Sequence, residues 1–192
     1  HVKEMNSQAP EEEPVLFIKP ATALRSLQNP VRIPTTKGSV HHELEIAVLI
    51  GQTLCEADEV QAVQAISGVG IALDLTLREL QSQLKQAGRP WEKAKAFDGS
   101  CPLSHFVPVR QCPPLNRLAI QLRVNDECRQ RGNSSDMLFP IPRLLVEISR
   151  YFTLQPGDVV LTGTPEGVGP LLPGDMLSLS LDGLLSIETS VI

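Results

Sequence analysis

No run of basic residues occurs in the 192-residue chain, whose 17 Lys and Arg are outnumbered by 22 Asp and Glu for a formal charge of −5. Nucleic acid and anionic membranes both select concentrated positive charge, so neither is expected as the main partner. Apolar stretches are short as well. None approaches the roughly 18 to 20 residues that span a bilayer, and no signal peptide is visible. Cysteine is sparse: Cys55, Cys101, Cys112 and Cys128 form no C-x-x-C pair and have no histidine at zinc-finger spacing. Reduced thiols are therefore expected, and with them a soluble, cytoplasmic protein. The glycine-rich segment 162–170 lacks the G-K-[ST] ending of a phosphate-binding loop and leaves a strand without an obvious helix to follow, which argues against nucleotide binding. A tight loop between strands is its simplest reading.

What is present suits one domain over 1–192, with 42% hydrophobic residues, enough for a real core. The chain begins at His1 rather than Met, and residues upstream are expected to be missing. The most informative stretch is 40–51. Its Ile, Val and Leu run ends in Gly51 and reads as a strand buried on both faces, on which Glu43 and Glu45, two apart, project together. Buried like charges need a counter-charge, which a cation, a Lys/Arg cluster or water at an exposed strand end would each supply.

Around it the chain punctuates itself. Residues 15–18 read as a short strand stopped by Lys19-Pro20, and Val60, Val63 and Ile66 repeat at helical spacing over 56–66. A second apolar strand, 69–75, carries a single charge, Asp74. Thr76 and Glu79 then form a capping-box signature for a helix with Leu77, Leu80 and Leu84 on one face, ending near Gly88. This puts Asp74 at a strand-to-helix junction, with Arg78 and Gln81 sharing one face of the first turns. Segment 91–98 alternates as an extended piece would. Asn125-Asp126 suggests a hairpin turn within 118–131, and Pro142 opens a helix striped by Leu144, Leu145, Ile148 and Phe152. Pro156-Gly157-Asp158 and Pro173-Gly174-Asp175 are two copies of one turn-into-strand unit.

Four of these stretches together carry a resemblance: His41-His42-Glu43-Leu44-Glu45, residues 72–78 around Asp74, Lys93-Ala94-Lys95-Ala96-Phe97-Asp98, and Leu161-Thr162-Gly163-Thr164-Pro165 through Pro170. In order and spacing they resemble the fumarylacetoacetate hydrolase family, and Pro90-Trp91 before Ala94-Lys95 resembles its acylpyruvase and fumarylpyruvate hydrolase branch. The resemblance implies an α+β, predominantly β fold, a mixed β-sandwich roll with a few short helices, assembled as a homodimer. It implies Mg²⁺ or Mn²⁺ held by Glu43, Glu45 and Asp74, an oxygen-only set of the kind hard divalent cations take. Lys95 matches the family's active-site lysine, Arg78, Gln81 and Thr164 match substrate-binding positions, and Lys93 reads as a solvated neighbour.

His1 and Glu4 resemble the branch's water-activating pair, His1 as base and Glu4 as its orienter; a bare His at the first position carries no such meaning. The function so implied is metal-dependent hydrolysis of a carbon–carbon bond in a 2,4-diketo acid, releasing pyruvate, an activity of aromatic compound catabolism. The same enolate chemistry serves the alternatives, oxaloacetate decarboxylation or tautomerisation and isomerisation of 2-hydroxyhepta-2,4-diene-1,7-dioate. A rival from another class is a non-catalytic β-roll binding module in which the cation only fixes the fold.

Overall fold

A computed structural model describes residues 13–192. Its central sheet runs Leu24–Ser26, Cys101–Leu103, Ile66–Leu73, Leu44–Ile50, Val159–Leu161, with Val107–Pro108 also on Ile66–Leu73. Only its first pair is parallel; the remainder is antiparallel. A three-stranded sheet (Gly169–Pro170, Val40–His42, Thr76–Leu77) continues the same chain segments, and a four-stranded meander (Leu185–Ser190, Met176–Leu181, Ala119–Val124, Glu127–Asn133) packs beside them. Among the described residues four short α-helices, with three 3₁₀ turns, complete the architecture: α1 (Glu59–Ala65), α2 (Arg78–Gln86), α3 (Glu92–Lys95) and α4 (Ile141–Ser149). The expected mixed, mostly β roll with few helices is what forms. Among the described residues no helix is long and apolar enough to cross a membrane.

The core joins the sheets through Leu44, Ile46, Val48 and Ile71 on one side and Leu122, Leu177 and Leu179 on the other. Each such side chain contributes about 1.5–3 kcal/mol by leaving water. A second, smaller cluster of Ala23, Ala47, Ala72 and Cys101 lies on the opposite face of the central sheet, so Leu44–Ile50 is covered on both sides, as its unbroken apolar sequence requires.

Several local expectations need correction. Residues 15–18 form no strand. In α1 the inward face is Ala62 and Ala65, while Val60 and Val63 point outward, because the close packing of α1 on the sheet and α4 admits only small side chains. Its cap is Asp58, which accepts from Gln61 N while Gln61 Oε1 accepts from Asp58 N. The box expected at Thr76 and Glu79 does not form: Thr76 Oγ1 donates to the Asp74 carbonyl and Glu79 Oε2 accepts from Ser39 N. Segment 91–98 is not extended but contains α3. Other expectations stand. Asn125 and Asp126, both at positive φ, make the hairpin turn. The two Pro-Gly-Asp units are equivalent in detail, Asp158 Oδ2 accepting from Gln155 N and Asp175 Oδ2 from Leu172 N, each at 2.7 Å. All four cysteines are free.

Candidate active site

Strand register assembles the site. Leu44 pairs with Leu73 across Leu44–Ile50 and Ile66–Leu73, so Glu43 and Asp74, one step beyond each end, face one another, and Asp74 N donates to Glu43 O at 2.8 Å. Glu45 follows on the same side as Glu43. The three carboxylates are buried and offer oxygens within 4.8 Å of one another.

The counter-charges arrive from elsewhere in the chain. Lys95, at the end of α3 and 3% exposed, donates to Glu43 Oε2 at 2.8 Å and Asp74 Oδ2 at 2.6 Å. Arg78, opening α2, donates to Glu43 Oε1 at 2.6 Å and to Gln81 Oε1 at 2.7 Å, so Gln81 orients the guanidinium. A third cation is Lys19, which in the sequence reads only as the stop of a strand. Its Nζ stands 2.8 Å from Asp74 Oδ1 and donates to the Lys95 carbonyl and to Ser100 O and Oγ. Ser100 Oγ in turn donates to Lys95 O at 2.9 Å, which ties the two lysines to one short segment.

These charges act unequally. Burial alone would raise the Glu43 carboxyl, but Lys95 and Arg78 outweigh it and hold it below its ordinary value. Among the described residues Glu45 receives only the Gly163 N–H, at 2.6 Å; burial first, then the charges of Asp74 and Glu43, push it up to about 8. Burial would lower the Lys95 ammonium, but Asp74 and Glu43 outweigh it and raise it, so Lys95 stays charged. Burial chiefly pushes the Cys101 thiol up to about 11, so at neutral pH it stays protonated.

The donor set suits a hard divalent cation: three carboxylates, no sulfur or imidazole, and a buried Asp74 Oδ1 that accepts no hydrogen bond of good geometry among the described residues although Lys19 is close. His41 and His42, adjacent in sequence, stand outside this set.

The glycine-rich loop closes over Glu45. Thr162 N donates to Ile46 O at 3.1 Å, and Thr164 Oγ1 donates to Leu44 O at 2.8 Å. Thr164 therefore spends its hydroxyl proton on the strand. Gly167 sits at φ +93°, where a Cβ would come 1.8 Å from Arg129 O. Gly167→Ala is expected to cost about 3 kcal/mol or more. Chemical unfolding checks this, and wild-type stability in the variant would refute the loop's placement.

Of the nine residues singled out from the sequence, the structure gathers Glu43, Glu45, Asp74, Arg78, Gln81, Lys95 and Thr164 into one site; His1 and Glu4 lie outside the described residues. Lys93 lines a neighbouring groove of about 1050 Å³ together with Ile18, Lys37, Leu77, Leu80 and Phe97, beside the carboxylates rather than on them.

A curled mixed sheet here folds three buried carboxylates against two lysines and an arginine. The fumarylacetoacetate hydrolase C-terminal family model matches residues 1–192, and the chain belongs to that family. It is 57% identical over 185 residues to oxaloacetate tautomerase YcgM of Escherichia coli (strain K12), covering 95% of this chain and 84% of the relative. It is 43% identical over 191 residues to the mitochondrial oxaloacetate tautomerase FAHD1 of Bos taurus, covering 100% of this chain and 86% of the relative. Among solved structures, fumarylpyruvate hydrolase from Pseudomonas aeruginosa in complex with Mn²⁺ and pyruvate superposes with a TM-score of 0.93 at 36% identity, covering 100% of this chain and 84% of that one.

Proposed function

We propose that this protein tautomerises oxaloacetate between its keto and enol forms, using a divalent cation, Mg²⁺ or Mn²⁺, held by Glu43, Glu45 and Asp74. The observation that carries the proposal is the buried carboxylate trio with Lys95 bonded to two of its members, in a chain whose relatives at 57% and 43% identity are named oxaloacetate tautomerases. This favours the alternative drawn from the sequence over diketo-acid hydrolysis.

A bound cation would supply Lewis acidity and a chelating point for a 2-oxo acid. The chain's own residues do the rest. Lys95, fixed by Glu43 and Asp74, presents an ammonium to the oxygen that gains charge as the enolate forms. Arg78, braced by Gln81 and Glu43, has N–H groups left for the distal carboxylate, which oxaloacetate has and pyruvate lacks. Burial keeps water from competing with these charges. The homodimer implied by the resemblance is part of the proposal and is tested by mass in solution.

The enzymatic test follows the decay of enol oxaloacetate by ultraviolet absorbance, with Mn²⁺ and then with EDTA, while pyruvate is measured in parallel. Cation-dependent decay without pyruvate is expected. Pyruvate from acetylpyruvate or fumarylpyruvate, with no effect on enol decay, would return the assignment to a hydrolase; pyruvate from oxaloacetate would make it a decarboxylase.

A further inference from the structure

The geometry points to Gln130 as a positioning residue that fixes the Glu43–Glu45 peptide against the glycine-rich loop and so sets both cation affinity and substrate affinity. The inference rests on reading the carboxylates as cation ligands. Gln130 belongs to the four-stranded meander, not to the sheet that carries the site. On Glu127–Asn133 it is the one fully buried side chain, 1% exposed, and it crosses between sheets.

Its amide is used to capacity. Oε1 accepts from Leu44 N and from His42 Nδ1, each at 2.9 Å; Nε2 donates to Thr164 Oγ1 at 2.7 Å and Pro165 O at 3.0 Å. The partners dictate this orientation. Leu44 N–H only donates and Pro165 O only accepts, so a flipped amide would set donor against donor and acceptor against acceptor. His42 must then carry its proton on Nδ1.

Two consequences follow for the residues around the site. Because Thr164 Oγ1 accepts from Gln130, its own proton goes to Leu44 O at 2.8 Å. Leu44, the residue between the two glutamates, is thereby held at its N–H by Gln130 and at its C=O by Thr164. The same loop supplies the Gly163 N–H that meets Glu45 Oε2. One side chain thus ties the backbone of the carboxylate pair to the loop at both Thr164 and Pro165.

The two halves of the amide separate experimentally. Gln130→Met keeps the length and removes all four bonds. Gln130→Glu keeps an acceptor for Leu44 and His42 and loses both donations to the loop. Ser134→Ala is the control: Ser134 is buried in the turn that directly follows Glu127–Asn133 and accepts from Leu118 N at 2.8 Å, away from the site. The readouts are Mn²⁺ binding alone, by the paramagnetic resonance of free Mn²⁺, and the separate values of kcat and KM for enol oxaloacetate.

Gln130→Met is expected to weaken Mn²⁺ binding and raise KM by about 10-fold each, with kcat at saturation changed far less. Gln130→Glu is expected to raise KM while Mn²⁺ affinity stays near wild type, and it carries the test if the methionine variant does not fold. Ser134→Ala lowers the melting temperature and moves neither constant. Unchanged Mn²⁺ affinity and KM in both Gln130 variants would overturn the positioning role and leave the cation reading standing. A wild-type protein that binds no Mn²⁺ would overturn both.

Discussion

Glu45→Gln is expected to lose Mn²⁺ uptake and turnover, the latter by about 10³-fold or more, while making the protein more stable in EDTA at pH 8. The two effects have one cause. Glu45 is buried and lies beside two other carboxylates; among the described residues it hydrogen-bonds no cationic side chain and its one donor is Gly163 N–H. Below pH 4.5 folded and unfolded chains both carry its proton, whereas between 4.5 and about 8 only the folded chain keeps it. Folding then takes up a proton, so this residue's contribution to stability falls as pH rises through that window and levels off above it. Glutamine keeps the acceptor for Gly163 and removes the ionisation. The gain over wild type at pH 8 is on the order of 3 kcal/mol, and it shrinks toward zero near pH 4.5. Urea unfolding in EDTA at pH 5 and pH 8, with Mn²⁺ titrations of both proteins, gives the answer. A variant less stable than wild type at pH 8, or one that binds Mn²⁺ normally, would refute Glu45 as a carboxylate held in readiness for a cation.

How much of this was legible in the sequence depends on the range of the interaction. Glu43, Glu45 and Asp74 could be placed because strand periodicity is local and a lone acid at the end of an apolar strand stands out. The hairpin at Asn125-Asp126 and the twin Pro-Gly-Asp turns were legible for the same reason. Lys19 was not: its role rests on Asp74 and Ser100, both more than fifty residues away, and beside Pro20 it looks like punctuation. Gln130 was hidden in a polar stretch; its one signal is that the alternation of Glu127–Asn133 turns it alone fully inward. The helical stripe of Val60 and Val63 misled because the crowded interface took Ala62 and Ala65 instead. The Thr76-Glu79 pattern misled because Thr76 turned its hydroxyl back to the Asp74 carbonyl and Glu79 found a distant partner in Ser39 N. Lys95 stands out by resemblance, but the alternating sequence around it reads as extended chain where the structure forms the short helix that delivers it.

Lys95→Met is expected to lower turnover by about 10²- to 10³-fold even at saturating Mn²⁺ and to destabilise the protein in EDTA by about 3–5 kcal/mol. Methionine fills the space of the lysine stem but leaves Glu43 Oε2 and Asp74 Oδ2 without the ammonium they share, and a buried carboxylate stripped of its partner costs most of its desolvation. Because the folded site raises the Lys95 ammonium above its ordinary 10.5, the stability it confers is complete at neutral pH and is lost only as pH rises through the folded value. The loss in EDTA should therefore be the same at pH 6 and pH 8. Mn²⁺ should restore stability more strongly in the variant than in wild type, and bind it more tightly, since the cation no longer competes with an ammonium for the same two oxygens. Stability rescued by Mn²⁺ without recovery of turnover separates what Lys95 does for the fold from what it does for the enolate. The rival reading, a binding module fixed by a structural cation, requires the opposite: no keto acid perturbs the bound Mn²⁺ and the substitution is silent in every assay but stability. Wild-type turnover in Lys95→Met at saturating Mn²⁺ would remove Lys95 from the chemistry and leave it only a counter-charge.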